Sequence, residues 1–161
     1  MNMEPNTSST NAFFETIPHE KTSLVLTPSQ ALMAISVLAV MVDKDLSEPD
    51  KQTLFSNLIR LFSSYSSEEF KTLFQGVFSL LKKYSTSEVF TAAKKTLTPE
   101  LRQTAFAIAT DLVLADGWMS PGERNLLFQL WHSLEIPDHI GEKILEVMLM
   151  KNCWDQDENH A

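Results

Sequence analysis

From about residue 25 onward, apolar positions recur at three- and four-residue steps, the period of helices with a buried face. The stretch Ala31 to Val42 is apolar nearly all round through Leu32, Met33, Ile35, Val37, Leu38, Val40 and Met41. Such a helix belongs at the centre of a fold. Thr27-Pro28-Ser29-Gln30 opens it with the form of a capping box and a proline at the first helical position. Ser47-Glu48-Pro49-Asp50 starts a second helix, whose stripe is Leu54, Phe55, Leu58, Ile59, Leu61 and Phe62. Ser66-Ser67-Glu68-Glu69, another capping box in form, opens a third with Phe70, Leu73, Phe74, Val77, Phe78 and Leu81 on one face. A short fourth helix is expected over about Ser87 to Lys95. Thr98-Pro99 opens a fifth, again mostly apolar, through Leu101, Ala105, Ile108, Leu112 and Ala115. Ser120-Pro121-Gly122-Glu123 caps a sixth, and Pro137-Asp138 introduces a seventh. No segment sustains strand alternation. The expected fold class is all-α, a compact bundle of about seven helices, with an N-terminal arm over residues 1–24, the helical domain over 25–152 and an acidic tail over 153–161.

The pattern also repeats. With a shift of 73 residues, from Asp43 to Asp116, Gln30, Ala34 and Ile35 fall on Gln103, Ala107 and Ile108. Ser47 falls on Ser120, Asp50 on Glu123, Lys51 on Arg124, Leu54 on Leu127 and Phe55 on Phe128. Matching turn chemistry as well as matching hydrophobic phase predicts two equivalent helical hairpins about a pseudo-twofold axis, with the two most apolar helices at its centre.

Composition narrows the function classes. The 161 residues suit one domain, and 43% are hydrophobic, enough for a core. The net charge of -8 disfavours nucleic acid, whose phosphates need cationic partners. The pairs Lys82-Lys83 and Lys94-Lys95 do not form a basic stripe. A single cysteine, Cys153, excludes an intrachain disulfide and a Cys-rich zinc site, and suits a reducing cytoplasm. The polar stretch Met1 to Thr10 does not read as a signal peptide. The run from Ala31 to Val42 is 12 residues long, short of the roughly 20 needed to span a bilayer.

The chemistry on offer lies in the two acidic turns. Asp43 and Asp116 are expected at the C-terminal ends of the central helices, where a carboxylate meets the negative end of the helix dipole. A hard divalent cation would offset that. The first turn adds Asp45, Glu48 and Asp50, and the second adds Glu123, with Asp111 upstream. Asp50 and Glu123 are equally explained as the acids of capping boxes, and Asp43 and Asp116 as Asx-turn residues. An EF-hand does not fit. Counted from Asp43, the sixth position is Glu48 rather than Gly and the twelfth is Leu54 rather than Glu.

The segment Leu112-Val113-Leu114-Ala115-Asp116-Gly117-Trp118-Met119-Ser120-Pro121-Gly122-Glu123 resembles the signature of the tellurite-resistance TerB-like family, and Val40 to Phe55 resembles a degraded copy. In that copy Lys44 stands for the glycine and Asp45 adds an acid. The resemblance covers about residues 26–150. It implies a seven-helix domain without catalytic activity, serving tellurite resistance and wider stress response in the cytoplasm, near the inner membrane. It implies a divalent cation, calcium or magnesium rather than zinc, at Asp43, Asp50, Asp116 and Glu123; Asp45, Glu48 and Asp111 are additional acids that this sequence alone offers. It also implies protein partners in a membrane-associated stress complex. A homodimer, an interaction module that needs no metal, a metal-dependent hydrolase and an apolar ligand between the helices stay open.

His132, Glu135 and His139 lie close in sequence, but their spacing across Pro137 suits helix ends better than metal ligation. Cys153 has no neighbouring base in sequence to activate it. Trp131 is expected in the core, while Trp118 in the acidic turn is available to a partner. No phosphate loop and no Ser-His-Asp order is present, and four glycines are few for nucleotide cradling.

Overall fold

A computed structural model describes residues 23–42 and 45–154. Over these residues the chain forms seven α-helices and no strand. They are α1 (Pro28–Met41), α2 (Glu48–Ile59), α3 (Ser67–Lys83), α4 (Thr86–Thr96), α5 (Pro99–Val113), α6 (Pro121–Ser133) and α7 (Asp138–Asn152). Asp43, Lys44, nearly all of the expected arm and most of the expected tail lie outside the described residues.

Hydroxyl caps set most of the starts. The side chains of Thr27, Ser47, Ser66, Ser85, Thr98 and Ser120 each accept the N–H three residues on, satisfying a donor that the helix leaves unpaired. In α1, α2 and α6 the residue at that third position returns a side-chain acceptor, completing the box. Only the Ser66 half of the box expected at α3 forms. The Ser85 cap starts α4 one residue earlier than the apolar pattern implies. At the other end of α2 the helix stops at Ile59, so the expected stripe breaks: Phe62 is buried in the following turn and Leu61 is exposed.

The two most apolar helices form the centre. α1 and α5 pack against each other more extensively than any other pair. Within α1, Ala31, Met33, Ala34, Ile35, Val37, Leu38 and Ala39 are all buried. Burying a large aliphatic side chain is worth about 1.5–3 kcal/mol, so α1 is held mainly by its neighbours rather than by its own propensity. The one hydroxyl it buries, Ser36 Oγ, donates to Leu32 O at 2.8 Å; the buried Thr110 Oγ1 of α5 likewise donates to Phe106 O at 2.7 Å. Each hydroxyl is satisfied within its own helix, so the interface carries no lost hydrogen bond.

The contacts follow the repeat. α1 packs on α3 as α5 packs on α7, and α2 meets α3 as α6 meets α7. α4 stands outside this correspondence and covers another side of α1. The first half gathers an aromatic cluster: Phe70 lies 4.9 Å from Phe55, 5.8 Å from Phe62 and 6.1 Å from Phe74, centroid to centroid. In the second half Trp131 is buried as expected, edge-on to Phe106 at 5.8 Å.

α6 closes without a glycine. Glu135 adopts φ 58°, its N–H reaches His132 O, and the Ile136 N–H reaches Trp131 O. This is a Schellman ending. A left-handed Glu carries a steric cost, and the Glu135 carboxylate is tied down by Arg102 Nη1 at 3.1 Å and Lys94 Nζ at 3.4 Å.

Candidate functional site

The acidic turns come together along one cleft. Asp50 from the first repeat and Asp116 and Glu123 from the second line a cavity of about 600 Å³. Thr53, Asn57 and Ser120 add polar groups, and Leu46, Leu54, Leu112 and Leu126 add an apolar lining. The placement follows from the fold: α1 and α5 pair at the centre, and the segments leading into α2 and α6 open onto the same space.

Each acid has a local role. The Ser47 N–H and Oγ donate to Asp50 Oδ2 at 3.0 and 2.8 Å, and the Asp50 N–H donates to Ser47 Oγ at 3.3 Å. The Ser120 N–H donates to Glu123 Oε1 at 3.0 Å, and the Glu123 N–H to Ser120 Oγ at 3.1 Å. Both acids therefore cap their helices, as one of the two sequence readings has it.

Asp116 likewise follows the local one of its two sequence readings, the Asx-turn. α5 ends at Val113, so Asp116 sits in the turn beyond it. Its Oδ1 accepts the Trp118 N–H at 3.1 Å, and Gly117 follows at φ 83° with its N–H on Leu114 O. This Asx-turn supplies part of the compensation that the helix end was expected to demand from a ligand. The acid in the last turn of α5 is instead Asp111, whose Oδ1 accepts from Lys151 Nζ and Asn152 Nδ2, each at 2.8 Å. Asp111 thus fastens α5 to the end of α7 and does not line the cleft. Asp45 and Glu48 are exposed and do not line it either, and Glu48 faces Lys51 at 3.5 Å. Asp43 lies outside the described residues.

Cys153 does not line the cleft but lies within the electrostatic reach of its acids. Burial pushes its thiol above the ordinary range, and the negative charges of Asp116 and Glu123 push it further. A nearby anion disfavours the thiolate, so Cys153 is unsuited to nucleophilic work. The end of α7 reaches the second turn, where a Cβ built on Gly117 would lie 3.4 Å from Asn152 O. Cys153 and Asp116 are 37 positions apart, and no local pattern links them.

Among the described residues, no group of three or more His, Cys, Asp or Glu side chains converges as a metal-ligand set. The acidic donors lining the cleft are hard oxygens, and burial and the charges of Asp116 and Glu123 disfavour the Cys153 thiolate. Oxygens of this kind are what a hard cation keeping part of its own water shell would take, as magnesium does with one or two carboxylates. They do not fit zinc, which takes four close nitrogen or sulfur donors.

The His132, Glu135 and His139 trio does not assemble. His132 Nδ1 meets Phe128 O at 2.7 Å and its Nε2 meets Asp138 Oδ1 at 2.9 Å. Glu135 is held by Lys94 first and Arg102 second, whose charges keep its carboxyl below the usual range. His139 is exposed. Among the described residues no helix is long and apolar enough to cross a membrane. Compared with known proteins, the chain matches no family model, no curated protein and no solved structure.

Proposed function

We propose that this chain is a non-enzymatic TerB-like stress-response domain of the tellurite-resistance type, binding a divalent cation in the cleft between its two acidic turns. The observation that carries this reading is the shared cleft: carboxylates from both repeats, Asp50, Asp116 and Glu123, face one space. The signature around Asp116 supports the family reading, and Asp43, its counterpart in the first repeat, is the fourth proposed ligand. A hydrated calcium or magnesium ion would join the two turns and so respond to their relative position. The protein would act through partners, in the cytoplasm beside the inner membrane.

Calorimetric titration with calcium, magnesium, manganese and zinc tests this. Binding of calcium or magnesium that is lost in Asp43→Asn with Asp116→Asn supports it. These substitutions leave the two capping acids intact. Absence of binding by the wild type, or binding indifferent to the double substitution, overturns it.

A second reading has its own observation, the apolar lining beside the acids. A Lys or Arg side chain from a protein partner could lay its stem on Leu54 and Leu126 and set its charged end at the carboxylates. Capture of such a partner would weaken with salt and ignore a chelator.

A further inference from the structure

A second cavity of about 670 Å³ lies on the other side of α6, between α6 and α7. Phe128 and Met150 line it, at 49% and 63% exposed, and Val147 on the outer face of α7 is 53% exposed. Isolated surface apolar residues are ordinary, but Phe128 and Met150 open onto one groove, and grouped exposed apolar side chains are the mark of contact surfaces.

The charges on the two walls are opposed. Arg124 stands on the α6 wall, and Glu142 and Glu146 stand on the α7 wall. All three are exposed, and among the described residues none makes an ion pair. Of the nearby bases, Lys151 is engaged by Asp111, Lys94 and Arg102 by Glu135, and Lys143, exposed on α7, does not line the groove.

We infer that the α6–α7 groove is the homodimer interface of this protein. A twofold contact must be self-complementary, with the same patch on both copies. Here rotation sets the α6 wall of one copy against the α7 wall of the other, so that each Arg124 meets Glu142 and Glu146 of its partner. Phe128 and Met150 of the two copies then close over one another and leave water. A purely basic partner helix would meet Arg124 as a repelling charge, and a purely acidic one would meet the two glutamates. A second copy answers both walls at once.

Sedimentation equilibrium on the full chain, across a wide concentration range, tests this. The wild type should approach twice the 18.2 kDa chain mass. Met150→Asp should return it to monomer at the same concentrations. Arg124→Glu and Glu146→Arg should each weaken dimerisation at least tenfold, and the two together should recover most of that loss. All three positions are exposed, and unchanged circular dichroism would confirm that the variants fold. A wild type that stays monomeric at the highest concentration overturns the inference. So does a dimer indifferent to Met150→Asp, or a double charge swap without recovery. None of these residues lines the acidic cleft, so a failure here leaves the cation titration standing.

Discussion

At the scale of single residues, the acids of the two turns sort by what already holds them. Asp50 and Glu123 close capping boxes, Asp116 closes an Asx-turn, and Asp111 ties α5 to α7. The capping roles are legible in the sequence because both partners lie within three positions. The fate of Asp111 is not, because Lys151 and Asn152 arrive from 40 and 41 positions away. The setting of Cys153 is equally hidden, and it makes the thiol a reporter on the second turn. Its thiolate is disfavoured by burial first and by Asp116 and Glu123 next. Alkylation proceeds through the thiolate, so the wild type should react slowly at neutral pH. Asp116→Asn keeps an oxygen for the Trp118 N–H but removes a charge, which lowers the thiol's pKa toward its ordinary range. Iodoacetamide should then modify Cys153 several-fold faster at the same pH. An unchanged or slower rate would contradict the electrostatic coupling.

At the scale of elements, helix starts were readable because they are local chemistry. Hydroxyl caps and prolines mark them in a few residues, and the Ser85 cap of α4 was the one obscured, since apolar phase alone points to Ser87. Helix ends and close approaches were less readable, because they depend on what arrives from elsewhere. Gly141 is the clearest case. In sequence it is an ordinary interruption of a helical pattern, yet it is buried where α7 crosses α6. A Cβ there would lie 2.5, 2.7 and 2.9 Å from the Trp131 ring. That ring cannot simply swing aside, because its Nε1 donates to Asp138 Oδ1 at 3.1 Å and its body packs edge-on against Phe106. Alanine normally favours a helix interior over glycine by about 1 kcal/mol. Here the overlap outweighs that preference, and Gly141→Ala should destabilise the protein by about 1–3 kcal/mol, as overpacked core substitutions do. Urea denaturation followed by circular dichroism would measure it, and a stabilised variant would show that α7 shifts freely on Trp131.

At the scale of the molecule, the all-helical architecture and its internal correspondence follow from the hydrophobic phase and the repeated turn chemistry. The two turns open onto one cleft, whose lining takes Asp50 from the first repeat and Asp116 and Glu123 from the second. The α6–α7 groove was invisible, because Phe128, Val147 and Met150 continue apolar patterns that are indistinguishable in sequence from core positions. The pairing of α1 with α5 has a further consequence. Each central helix uses the other half of the chain as its missing wall. If the chain is cut between α4 and α5, after Leu97, the two pieces should behave as a complementing pair. Each alone should show weak, uncooperative helicity, and mixing should restore native circular dichroism with a single unfolding transition. Either piece holding a cooperative fold by itself would argue against that dependence. Cut in this way, the domain would serve as a two-part reporter, regaining its fold only where both parts are made in the same place.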